Sequence, residues 1–144
     1  MKTASSPPAS RPDQARIKLT SRARSSSRSI LLVDDEEYML SLLKEIVQML
    51  GHRAVTALSG AQALEKLTVS SIDLVITDLN MPGMSGLELM SRVKQTRPQV
   101  PVVLISGYGV EHAARTARKH HADGFIGKPF HLEDLRLCIE EHLK

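Results

Sequence analysis

Short apolar runs punctuate this chain, and between them apolar residues recur at helical spacing. Ile30-Leu31-Leu32-Val33 is a continuous apolar run, the pattern of a strand buried on both faces. Met39, Leu42, Leu43, Ile46 and Leu50 then follow a helical period, and Gly51 is placed to stop that helix. Residues 54–57 carry the weakest strand pattern. Ser59-Gly60-Ala61-Gln62 and Ser85-Gly86-Leu87-Glu88 both fit the capping box, so each predicts a helix start. Between them lies a third strand, Leu74-Val75-Ile76-Thr77. Val102-Val103-Leu104-Ile105, entered after Pro98 and Pro101, is the fourth. Residues 110–121, with Ala113, Ala114 and Ala117, read as a helix. Phe125-Ile126 is a short fifth strand, and Leu132, Leu135, Ile139 and Leu143 mark a final helix.

Strands separated by helical crossovers predict an α/β fold with a doubly wound, five-stranded parallel sheet and five helices, some on each face. In such folds ligands bind at the carboxyl ends of the strands, where strand order reverses. The first strand ends in Asp34-Asp35-Glu36-Glu37, the third in Asp78, the fourth in Ser106-Gly107, and the fifth runs into Lys128-Pro129. With strand order 2-1-3-4-5, the first and third strands are neighbours, and Asp34, Asp35 and Asp78 share a small volume.

Carboxylates packed together repel, and some must take up protons unless a cation intervenes. Hard oxygen ligands that leave room for water and a phosphate oxygen suit Mg²⁺. The metal and Lys128 together would neutralise an incoming phosphoryl group. A carboxylate held in line could then attack phosphorus and form an aspartyl phosphate. Asp78 is the candidate nucleophile because it stands alone, while Asp34 and Asp35 form a metal-binding pair. Each residue also has a plainer role open to it. Asp34 to Glu37 precede a helix and would suit its dipole. Asp78 could stabilise the loop to Pro82-Gly83, Lys128 could be solvated, and Ser106 could be a strand-end hydroxyl. The coincidence of all five at strand carboxyl ends favours the chemical reading.

These residues resemble those of the response-regulator receiver domain. Leu31-Leu32-Val33-Asp34-Asp35-Glu36 is similar to the family's opening, and the stretch from Asp73 to Gly86 (DLVITDLNMPGMSG) to the surroundings of its phosphoacceptor. Val102-Val103-Leu104-Ile105-Ser106-Gly107 and Gly124-Phe125-Ile126-Gly127-Lys128-Pro129-Phe130 complete the set. The resemblance covers residues 29–144 and implies a flavodoxin-like sheet of order 2-1-3-4-5. It also implies roles: Asp34 and Asp35 as the Mg²⁺-binding pair, Asp78 as phosphoacceptor and metal ligand, and the backbone carbonyl of Asn80 as a further ligand. Ser106 matches the hydroxyl that moves to the phosphoryl group, and Lys128 the lysine that pairs with it, before a Lys128–Pro129 bond that is usually cis. Phe125 falls at the switch aromatic, often Tyr, and has no hydroxyl to offer the surface. Gly107 keeps its wall small where many relatives have Ala. Asn80 and Tyr108 sit where the family tunes dephosphorylation.

A partner follows from the resemblance: a sensor histidine kinase or phosphotransfer protein as donor, and a downstream protein target as reader. The last helix is expected to reach the end of the chain, leaving no room there for an output module. A receiver module of a hybrid histidine kinase or phosphorelay would look similar. A small Mg²⁺-dependent aspartyl phosphatase is a rival, but it should carry a second Asp where Asn80 stands. A flavodoxin-type cofactor binder needs a phosphate cradle that Asp34-Asp35-Glu36-Glu37 would repel.

Composition refines the picture at one end. The net charge of +3 invites a nucleic-acid reading, but seven Lys or Arg and one acid up to Ser29 give that segment +6. The remainder carries twelve basic and fifteen acidic residues, a net −3. The basic character therefore belongs to residues 1–28, a Ser/Pro/Arg-rich tail whose composition predicts disorder. An organellar transit peptide has a similar composition. Nucleic acid is expected to be contacted, if at all, only by this tail, with strong salt dependence. No apolar run approaches the ~18 residues of a membrane span. Cys138 is the only cysteine, so a reducing, cytoplasmic setting is expected. The histidines, His120 and His121 among them, are expected to be solvated.

Overall fold

The computed structural model describes residues 27–107 and 109–143. The tail expected at residues 1–28 lies outside them except for Ser27 and Arg28, as does Tyr108. Five strands, β1 (Ser29–Val33), β2 (Arg53–Ala57), β3 (Leu74–Asp78), β4 (Val102–Ser106) and β5 (Gly124–Gly127), alternate with five helices. These are α1 (Glu37–Met49), α2 (Gly60–Val69), α3 (Gly86–Thr96), α4 (Val110–Lys119) and α5 (Leu132–His142). The strands form one parallel sheet in the order β2-β1-β3-β4-β5, the doubly wound topology read from the sequence.

The apolar runs are apolar because both faces of the sheet are covered. All five residues of β1, of β3 and of β4 are buried. Alternate residues feed two cores. Leu31, Val33, Val75, Val102 and Leu104 pack with α2, α3 and α4 through Ala63, Leu67, Leu89, Val93 and Ala113. Ile30, Leu32, Leu74, Ile76, Val103 and Ile105 pack with α1 and α5 through Leu43, Val47, Leu135 and Ile139. At the edge of the sheet β2 is only partly buried, which explains its weak apolar pattern.

The helix ends show where sequence reading and structure part. Ser59 Oγ accepts from the Gln62 N–H at 3.1 Å and Ser85 Oγ from the Glu88 N–H at 3.2 Å, as capping requires. The return half of each box is absent. Gln62 Oε1 accepts instead from the Leu58 N–H, and Glu88 pairs with Arg92 one turn on. Gly51 ends α1 with φ +91°, its N–H donating to Gln48 O and that of His52 to Val47 O. The helix expected over residues 110–121 stops at Lys119, because His121 adopts φ +64°. Its N–H donates to Arg118 O and that of Ala122 to Ala117 O, the same closure as at Gly51.

Two histidines expected to be solvated are built into the fold. His52 Nδ1 accepts the Arg28 N–H at 3.1 Å, and burial, with Arg28 adding, lowers its pKa. The His142 ring lies between the carbonyls of Cys138 and Asp123, 2.8 Å from each.

Candidate functional site

Strand register assembles the site. Val33 pairs with Thr77, so the next residues, Asp34 and Asp78, leave adjacent strands at the same level. Asp78 is level with Ile105, and Ser106 with Gly127, which brings Ser106 and Lys128 to the same end of the sheet. Asp34 is 1% exposed; its Oδ1 accepts the Glu36 N–H at 2.9 Å, which fixes the carboxylate at the head of α1. Asp35 is exposed beside it. One carboxylate oxygen from each of Asp34, Asp35 and Asp78 falls within 4.8 Å of the others, the one such cluster of potential metal ligands among the described residues.

Lys128 closes this group. Its Nζ donates to Asp34 Oδ2 at 3.2 Å and to Asp78 Oδ1 at 3.3 Å. The Lys128–Pro129 peptide is cis, and the Lys128 N–H donates to Ser106 O at 2.8 Å. Burial pushes the Asp78 carboxyl up to about 6, the Lys128 charge opposing and Asp34 adding to the rise. For Lys128 burial works against the ammonium, but Asp34 and Asp78 outweigh it and hold its pKa above the usual value. The site therefore carries more negative charge than one lysine satisfies, which fits a divalent cation with oxygen ligands.

The surrounding backbone is tightly fitted. The Gly86 N–H donates to Leu79 O at 2.9 Å, and a Cβ on Gly86 would lie 2.3 Å from Asp78 O. A Cβ on Gly107 would lie 2.9 Å from the Lys128 Cβ. Ser106 is fully buried, and its Oγ accepts from Asn80 Nδ2 at 3.2 Å. Phe125, level with Leu104, is half-buried on the same face of the sheet, packed against the core under α4. The structure thus brings Asp34, Asp35, Asp78 and Lys128 into one cluster, with Ser106 and Asn80 joined beside it and Phe125 behind. The Asn80 side-chain bond was not foreseen: the family resemblance implied a metal-binding carbonyl for Asn80 and a position that tunes dephosphorylation, and no spacing rule links residues 80 and 106.

A family model for the response regulator receiver domain matches residues 30–140, and the chain belongs to that family. It is thus the receiver domain of a two-component response regulator. Among curated relatives, it is 30% identical to sporulation initiation phosphotransferase F of Bacillus subtilis, across 81% of this chain and 94% of that protein. It is 38% identical to the transcriptional regulatory protein CpxR of Escherichia coli, across 80% of this chain but 49% of the relative. Among solved structures, the receiver domain of NtrX from Brucella abortus superposes with a TM-score of 0.75 at 36% identity, covering 79% of this chain and 97% of that one. No helix among the described residues is long and apolar enough to cross a membrane.

Proposed function

We propose that residues 29–144 accept a phosphoryl group on Asp78 from the phosphohistidine of a sensor histidine kinase or phosphotransfer protein, and signal by a conformational change to a downstream protein. The observation that carries this reading is the Lys128 ammonium bridging Asp34 and Asp78 beside the exposed Asp35. In the transfer, an Asp78 carboxylate oxygen forms a bond to phosphorus as the bond from phosphorus to the donor imidazole nitrogen breaks. The electron pair of that bond stays on the imidazole. Asp34, Asp35, Asp78 and the Asn80 carbonyl would hold Mg²⁺, which when bound supplies charge neutralisation at the phosphoryl oxygens.

Lys128 pairs with a phosphoryl oxygen, exchanging one anionic partner for another. Ser106 donates its hydroxyl proton to a second oxygen, and Phe125 follows the space that Ser106 leaves. The protein catalyses only its own phosphorylation and dephosphorylation. Belonging to the receiver family supports a kinase donor, and the lone Cys138 supports a reducing, cytoplasmic compartment. The chain spans nearly the whole of one curated relative and about half of another, so the same chemistry serves a separate receiver or a module of a longer regulator or phosphorelay kinase.

Incubation with a phosphorylated histidine kinase tests the donor. Radiolabel passing to the wild type and not to Asp78→Asn is the expected result. Label retained by Asp78→Asn would overturn the assignment. Ser106→Ala should still be labelled while losing most of the surface change, read as amide shifts in α4 and β5.

A further inference from the structure

β3 is apolar and fully buried from Leu74 to Ile76, and the next residue, Thr77, is fully buried as well. A hydroxyl there gives up hydration that a valine of the same branched shape would not need, so its hydrogen bond has to compensate. Thr77 Oγ1 donates to Asp78 O at 3.0 Å, the one hydrogen bond of that hydroxyl among the described residues. The peptide unit between Asp78 and Leu79 is held at its other polar atom too, where the Leu79 N–H donates to Ile105 O at 2.8 Å. The following carbonyl, Leu79 O, accepts the Gly86 N–H at 2.9 Å. A peptide unit is planar, so rotation about the Asp78 Cα–C bond would swing its carbonyl and the chain beyond it together. An anchor on Asp78 O therefore also fixes where Asn80 lies, and Asn80 carries the carbonyl assigned to Mg²⁺ above.

We propose that the Thr77 hydroxyl is a positioning group: by holding the Asp78 carbonyl it fixes the peptide that leads to Asn80, and so sets the affinity of the acidic cluster for a divalent cation. The inference rests on the cluster of Asp34, Asp35 and Asp78 holding Mg²⁺, and it adds a residue that touches neither the metal nor the phosphoryl group. Thr77 is sealed from water on both faces of the sheet, so solvent does not readily replace its hydroxyl on the carbonyl. A neutral hydrogen bond shifts such an equilibrium by about two- to tenfold.

Titration of the whole chain with Mg²⁺, followed by the ¹H–¹⁵N shifts of residues 34–36 and 78–80, tests this without any phosphoryl donor. Thr77→Val keeps the branched shape and removes the hydroxyl, and it should weaken Mg²⁺ binding by about two- to tenfold. Thr77→Ala, which lacks the hydroxyl in a smaller side chain, should weaken it as well. Thr77→Ser restores the donor and should bind Mg²⁺ as the wild type does. Ile76→Val, a truncation at the adjacent buried position, controls for lost packing and should also leave the affinity unchanged. Wild-type affinity in Thr77→Val and Thr77→Ala, or equal weakening in Thr77→Ser or Ile76→Val, would overturn the positioning role alone. Failure of Mg²⁺ to shift the wild-type resonances would overturn the metal reading of the cluster and this consequence together.

Discussion

Lys128 touches Asp34 and Asp78 at 3.2 and 3.3 Å, and its single charge faces two carboxylates with a third close by. The imbalance has a thermodynamic sign. Asp78 titrates at about 6 in the folded chain against 3.8 for a free aspartyl group, so the folded state binds the extra proton between those values. Stability of the metal-free protein should therefore fall as pH rises through that window. Asp78→Asn mimics the neutral form. It should stabilise the metal-free protein at pH 7 by about 1–2 kcal/mol, allowing for screening, and add little at pH 4. Urea melts in chelator at the two pH values check this, and a variant less stable than wild type at pH 7 would contradict it. The placement of these groups at the strand ends was legible, because Asp34, Asp78, Ser106 and Lys128 each follow a recognisable run. The Lys128 bridge and the Asn80–Ser106 bond were not, since they depend on register and rotamer rather than on period.

At the scale of elements, two turns carry the site or end a helix by backbone geometry that composition only partly reveals. The head of α3 lies against the back of β3 at Gly86, where a Cβ would meet Asp78 O at 2.3 Å and Leu79 Cα at 2.9 Å. Both are backbone atoms, so the neighbour cannot turn aside. Gly86→Ala should cost about 1–3 kcal/mol by overpacking and displace Asp78, slowing its phosphorylation. A melt within experimental error of wild type would show that the loop relaxes freely. At the end of α4, His121 holds φ +64° where α1 uses Gly51 at +91°. Gly51 announced its helix end in the sequence; His121 did not, because its side chain gives no sign of a left-handed backbone. His121→Gly should raise stability by several tenths to about 1 kcal/mol, the relief of left-handed strain outweighing the added freedom of the unfolded chain. Thermal melts of the variant read this directly, and a lowered midpoint would contradict it.

For the whole molecule, the doubly wound parallel sheet followed from where apolar runs and helical periods fall, whereas its strand order 2-1-3-4-5 came from the family resemblance. A run buried on both faces leaves no alternation, and that absence distinguishes β1, β3 and β4 from the edge strand β2. The sheet in turn places the acidic cluster at its carboxyl end, so a bound cation acts on the entire fold. Adding Mg²⁺ at pH 7 should raise the unfolding midpoint, by about 1.4 kcal/mol of stability at ten times its dissociation constant, and chelator should reverse the gain. Asp78→Asn, which loses a charged ligand, should show a smaller gain at the same concentration.

Intact mass after incubation with acetyl phosphate, with and without Mg²⁺, beside Asp78→Asn, reads directly whether Asp78 accepts a phosphoryl group. The expected result is the gain of one phosphoryl group by the wild type in Mg²⁺, none without the metal and none in the variant. No gain by the wild type in Mg²⁺, or a gain retained by Asp78→Asn, would contradict it.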